Sequence, residues 1–175
     1  MAAVIATVVT AWKWRQERWG AVSRPAPSPV SVLPSPLAEV SVILSYPRRD
    51  LKGLVDYSLS LPDRRARSVE WVGTILAALG RSPGESAVPA LPADLHPRAV
   101  FFDERGDLFL DFSADEIDAG PVGVEMETLA IEALLVSVGR NIPGVTALKI
   151  LIDGADRETL WGHVDIRRLF PIPHP

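Results

Sequence analysis

The chain has 175 residues, 47% of them hydrophobic, with a net charge of −4 and a pI near 5.4, which suits one ordinary domain with appendages and a real core. An acidic balance argues against a phosphate-backbone binder, which presents a basic face, so nucleic acid is not an expected partner. With no cysteine, disulfides, thiolate metal sites, Cys nucleophiles and lipid attachment through an N-terminal Cys are excluded for this chain.

Residues 1–12 are apolar and uncharged, and Lys13, Arg15 and Arg18 follow with Trp14 and Trp19 among them. Twelve residues are short of the roughly 20 needed to cross a bilayer as a helix, but Trp beside Lys and Arg is what the headgroup layer favours. The stretch reads as the end of a membrane span, with Met1 an internal methionine of a longer frame. A short signal-like or interfacial helix is the second reading, and a first helix packed on the domain is the third. The basic n-region and small-residue cleavage site of a secretory signal are missing. Residues 23–36 carry Pro25, Pro27, Pro29, Pro34 and Pro36, and repeated loss of backbone donors makes this a semi-rigid linker. The domain is expected over residues 37–171, with a frayed tail at 172–175.

Residues 39–46 mix β-branched residues with alternation and read as a first strand ended by Pro47; residues 51–61 add a weaker extended piece. Residues 63–79 form the first predicted helix, with Val69, Val72, Leu76 and Leu79 on one face and Gly80 as its C-cap. The basic cluster Arg64, Arg65 and Arg67 opens it as a solvated face. Residues 98–103 and 107–112 form a predicted hairpin through Glu104-Arg105-Gly106. Ser113 and Glu116 have capping-box spacing for a one-turn helix. Residues 125–138 form the second long helix, with Met126, Leu129, Ala130, Leu134 and Val138 on a broad apolar face and Gly139 as the stop. Residues 146–152 are a strand, Asp153-Gly154 a turn, and residues 157–160 its expected returning partner. The predicted fold class is α+β, a two-layer sandwich of two helices on a largely antiparallel sheet.

Nucleophile elbows, dinucleotide loops, phosphate loops and paired metal-binding histidines are not legible in the sequence. Of the three histidines, His96 lies in a loop, His174 in the tail, and only His163 sits among interesting residues. Asp153, His163 and Asp165 can be read as a carboxylate and imidazole cluster serving a small-ligand-binding or hydrolytic site. The competing reading makes Asp153 a turn former with Gly154, and His163 and Asp165 partners of backbone groups. The latter is the favoured reading, with no catalytic residue, cofactor or metal expected.

Ile150-Leu151-Ile152-Asp153-Gly154 followed by Glu158-Thr159-Leu160-Trp161-Gly162-His163-Val164-Asp165-Ile166 resembles the closing motif of the GerMN domain, the sporulation and spore germination family. Leu110-Asp111-Phe112-Ser113 resembles its strand ending in Asp-Phe-Ser, and residues 128–138 its second helix. Val136 departs from an expected Asn, and the lipoprotein members' Cys is missing, which points to a helical anchor. The resemblance implies a ring-building-module-like fold, an extracytoplasmic location, no enzymatic activity and protein partners in the envelope. It also implies a structural role for the motif residues Asp111, Phe112, Ser113, Asp153, Gly154, Thr159, Leu160, Gly162, His163 and Asp165. The positive-inside rule alone would put Lys13, Arg15, Arg18 and the adjoining domain in the cytoplasm, opposite to the side the family implies. Self-association is expected, if it occurs, through the first strand around residues 40–44, which lacks the charges that discourage edge pairing.

Overall fold

A computed structural model describes residues 38–66, 68–117, 120 and 123–173, all within the unit Leu37–Pro175. The expected membrane segment and linker, residues 1–36, lie outside the described residues.

Strands β1 (Glu39–Pro47) and β2 (Leu54–Pro62) form an antiparallel hairpin of nine residues each, so the weak extended piece is a full strand. Alternation puts Val42, Leu44 and Tyr46 into the core and leaves Glu39, Ser41 and Ile43 exposed. Helix α1 (Ser68–Leu79) begins later than the sequence pattern suggests. It buries Trp71, Val72, Ile75, Leu76, Ala78 and Leu79. Val69 is exposed, because Trp71 and Ile75 turn the apolar stripe away from it. Gly80 is not a left-handed cap; a Cβ there would lie 3.0 Å from the carbonyl oxygen of Pro92, so its small size admits the returning loop.

The four-stranded sheet has the order β3 (Pro97–Phe102), β4 (Asp107–Phe112), β5 (Ala147–Ile152), β6 (Phe170–Pro171). Its β3–β4 hairpin turns at Gly106, whose φ of 88° suits the predicted loop. After it come the single turn α2 (Ala114–Ile117) and the long helix α3 (Val124–Asn141), which cross over so that β5 runs parallel to β4. The expected partner of β5, residues 157–160, is not in the sheet: the bridge from Ile152 to Ala155 ends at the turn, and β4 and β6 take the two sides of β5. The described strands thus form two sheets, antiparallel except for β4–β5, and the α+β class holds with a hairpin set apart from the larger sheet.

Two further expectations change. Gly139 does not stop α3; a Cβ on it would overlap Ile172 Cγ2, so the glycine makes room for the chain end. The end is not frayed there: Phe170 and Pro171 pair with β5, Ile172 N donates to Thr146 O at 3.0 Å, and Ile172 is buried. Helix α3 packs along β1, and α1 contacts α3, β3 and β1. One apolar core joins Leu44, Ile75 and Leu134 to Leu108, Leu110, Leu148 and Ile150. No described helix is long and apolar enough to cross a membrane.

Candidate functional site

The motif residues line the ends of β4 and β5 and the loop between β5 and β6. Because those strands are parallel and in register, Asp111 at the end of β4 faces Leu151, one residue before the end of β5. Asp111 is buried; its Oδ1 accepts Gly154 N at 2.8 Å and its Oδ2 lies 3.3 Å from Arg98 Nε. Asp153 (φ 52°) and Gly154 (φ 78°) make the tight turn, and Asp153 N donates to Phe112 O at 2.9 Å. Asp153 Oδ1 accepts Arg98 Nη1 at 3.0 Å and lies 3.5 Å from Ala114 N, at the start of α2. Arg98 therefore ties both aspartates to β3.

The Ser113 hydroxyl and Glu116 carboxylate have no hydrogen bond to each other's backbone among the described residues. Instead Glu116 N donates to Ser113 O at 3.2 Å, and the acceptor near Ala114 N comes from Asp153. Phe112 and Leu160 are core side chains. Thr159 bridges to Asp165, closing the 159–165 loop, and Gly162 (φ 104°) supplies its left-handed bend. Asp165 accepts three bonds from Arg167, from N at 2.9 Å, Nε at 3.0 Å and Nη2 at 2.7 Å. The Arg167 side chain, then its amide, holds the Asp165 carboxyl down to about 2.

Sequence reasoning missed Glu127, on α3, which has 0% exposure. Its Oε1 accepts Trp161 N at 3.1 Å, and its Oε2 accepts His163 N at 2.9 Å and meets His163 Nδ1 at 2.9 Å. A carboxylate taken out of water needs such partners, and two amides with an imidazole supply them. The signal was present in the sequence: Glu127 stands on the same helical stripe as Ala130, Ile131, Leu134 and Val138, all buried, where an acidic residue requires a partner. The loop is held again by Lys149, a buried lysine on β5. Its Nζ donates to Arg167 O at 2.5 Å and pairs with Asp156 Oδ1 at 2.7 Å. Trp161 lies over Gly120, where a Cβ would overlap the indole Cδ1.

Asp153, His163 and Asp165 do not converge. Their partners are Arg98, Glu127 and Arg167 respectively. The bonded Glu127–His163 pair has the form of a base and its orienting carboxylate, but among the described residues His163 bonds to no Ser, Thr or Lys that it would activate. Among the described residues no cluster of three or more His, Asp or Glu is placed to hold a metal ion.

No protein-family profile matches the sequence, and no curated protein matches it. Solved structures do resemble it. The first GerMN domain of the sporulation protein GerM from Bacillus subtilis superposes with a TM-score of 0.56 at 18% identity, covering 75% of this chain and 97% of that one. The tandem GerMN domains of the same protein give 0.56 at 12% identity, covering 78% of this chain and 46% of theirs. A protein from Clostridium perfringens described as a lipoprotein gives 0.51 at 18% identity, covering 77% and 87%. The domain is GerMN-like in fold.

Proposed function

We propose that the chain is a non-enzymatic interaction or assembly module of the cell envelope, linked to sporulation or germination, with its domain on the extracytoplasmic side of a membrane. The GerMN-like fold supports this, since the solved neighbours are domains of a sporulation protein and a protein described as a lipoprotein. The single observation that carries the non-enzymatic part is the use of the motif's polar groups. Asp111, Asp153, His163 and Asp165 each bond to a strand, helix or loop they hold in place, and leave no convergent set of reacting groups. On this reading the domain meets its protein partners through surface shape and backbone edges, and residues 1–22 keep it at the membrane.

The test is genetic complementation. A strain carrying an in-frame deletion of residues 37–171 should lose an envelope, spore or germination property, and His163→Ala produced at wild-type abundance should restore it. Failure of folded His163→Ala to restore the property, while His163→Gln also fails, would point to chemistry at that imidazole.

A further inference from the structure

The β1–β2 hairpin has two outer edges, and the structure treats them differently. On β1, Ser45 N donates to Ser137 Oγ at 2.9 Å and Ile43 O accepts Asn141 Nδ2 at 2.8 Å, so α3 takes up the 43–45 part of that edge. Within the edge expected to pair, residues 40–44, Ile43 is thus already bonded to α3, which packs along β1. The same bonds fix the phase of the ladder. The backbone N–H of Ser45 and C=O of Ile43 point away from β2, whereas Asp63 N donates to Ala38 O and Arg48 N to Gly53 O across the hairpin. Pairs such as Val42/Leu59 and Leu44/Tyr57 exchange the ladder bonds, and Asp56, Ser58 and Ser60 aim N–H and C=O outward. Among the described residues nothing bonds to those outward groups, and β1 is the only strand beside β2.

We propose that this edge joins two copies of the chain, β2 against β2, antiparallel about a dyad at Ser58. The inference rests on the hairpin alone and stands whether or not the envelope reading does. Devices that protect an edge are missing from it: β2 has no Lys and no interior Pro, and its single charge, Asp56, is matched by Arg140 Nη1 at 2.7 Å. Its sequence is complementary to itself in this register. Ser58 faces its own copy and Asp56 faces Ser60, while Val55 faces Leu61 and Tyr57 faces Leu59 on the other side. The polar side chains on this face are already satisfied within one copy, with Ser60 Oγ donating to Glu39 at 2.5 Å and Ser45 Oγ to Asp56 at 2.6 Å, so Asp56 meets the copy's Ser60 without an unpaired charge. The apolar side carries Val55, Tyr57, Leu59 and Leu61, each half-buried in one copy, and the pairing covers them further. About six outward backbone groups would gain bonds at each pair's centre and flanks, with Pro62 unable to donate. A foreign strand would have to match this alternation of small polar and apolar faces; a second copy does so by symmetry.

The absence of cysteine makes the test clean. In the full chain under mild oxidant, Ser58→Cys should cross-link to itself, since directly opposed Cα atoms about 5.5 Å apart suit a disulfide. A mixture of Asp56→Cys and Ser60→Cys chains should give mainly the mixed dimer. Ser41→Cys, exposed on the same face one strand away, should stay monomeric. By sedimentation, Ser58→Pro, which removes an outward N–H and leaves the β1 ladder bonded, should weaken association at least tenfold with unchanged circular dichroism. A wild-type chain monomeric at the highest attainable concentration would overturn the proposal and leave the edge to a strand of another protein. Association that survives Ser58→Pro, or equal cross-linking at positions 41 and 58, would overturn it too, placing the contact elsewhere in the chain.

Discussion

Glu127 and His163 are bonded twice, through the amide and the imidazole of the histidine to one carboxylate oxygen, each at 2.9 Å. The pair joins helix α3 to the loop that follows β5. Removing the carboxylate strands the amides of Trp161 and His163, so Glu127→Ala should cost about 2–4 kcal/mol and Glu127→Gln, which keeps an acceptor, about half of that. His163→Ala leaves the two amide bonds intact and removes a half-exposed side chain, so about 1 kcal/mol is expected. Urea denaturation should rank Glu127→Ala as the most damaging, Glu127→Gln next and His163→Ala least; a histidine change that outweighs the glutamate change would contradict the clasp.

The two aspartates held by Arg98 should behave unequally. Asp111 is buried and also receives Gly154 N, whereas the Asp153 side chain is 53% exposed. Asp111→Ala should therefore cost about 1–2 kcal/mol, removing the acceptor of the part-buried Gly154 amide and the partner of Arg98. Asp153→Ala should cost under about 1 kcal/mol through its ion pair, as exposed pairs do. Chemical denaturation distinguishes them, and equal losses would mean that the turn conformation, not the hydrogen bond to Gly154, sets the stability of this corner.

Glycines offer a sharper contrast. At Gly120 an added Cβ collides with Trp161 and at Gly139 it collides with Ile172. Alanine at either should cost about 1–3 kcal/mol as the indole or the chain end is displaced. Gly73, in the middle of α1, has nothing within 4 Å of a Cβ, so Gly73→Ala should stabilise by about 0.5–1 kcal/mol. Thermal melts of the three variants should show two Tm values falling and one rising.

Acid stability follows from Asp63 and Asp165, both held at about 2 by a hydrogen-bonding arginine side chain first and a backbone amide second. The folded state lowers their pKa below the unfolded value near 3.9, so their contribution is complete above about pH 4 and is lost as pH falls toward 2. Asp63→Asn with Asp165→Asn should flatten the dependence of Tm on pH between about 4 and 2 relative to wild type. An unchanged slope would show that these exposed pairs do not discriminate folded from unfolded chains.

The parts of this fold written in local pattern were legible: the alternation of β1, the Gly106 hairpin, the long apolar face of α3 and the apolar run of β5 each carry their own period. Partnership was less so. Asp153-Gly154 does make a turn, but whether the chain then returns alongside β5 is decided by β4 arriving in parallel after the α3 crossover, and nothing near residues 157–160 encodes that. Gly80 and Gly139 look like helix stops because glycine often is one; here each instead admits a neighbour distant in sequence, Pro92 and Ile172. The motif residues were found through resemblance, whereas Glu127, which holds the Trp161–His163 part of that motif, is marked only by being an acidic residue on the otherwise mostly apolar buried stripe of α3.

Whether the domain lies on the extracytoplasmic side of a membrane can be read from protease accessibility of the full chain in its own cells, with an antibody against the C-terminal residues. The chain should sediment with membranes, resist extraction by high salt, and be digested by protease added to the exposed outer face of the membrane while cytoplasmic markers stay intact. A chain recovered in the soluble cytoplasmic fraction, or one protected until the cytoplasm is opened, would contradict that placement.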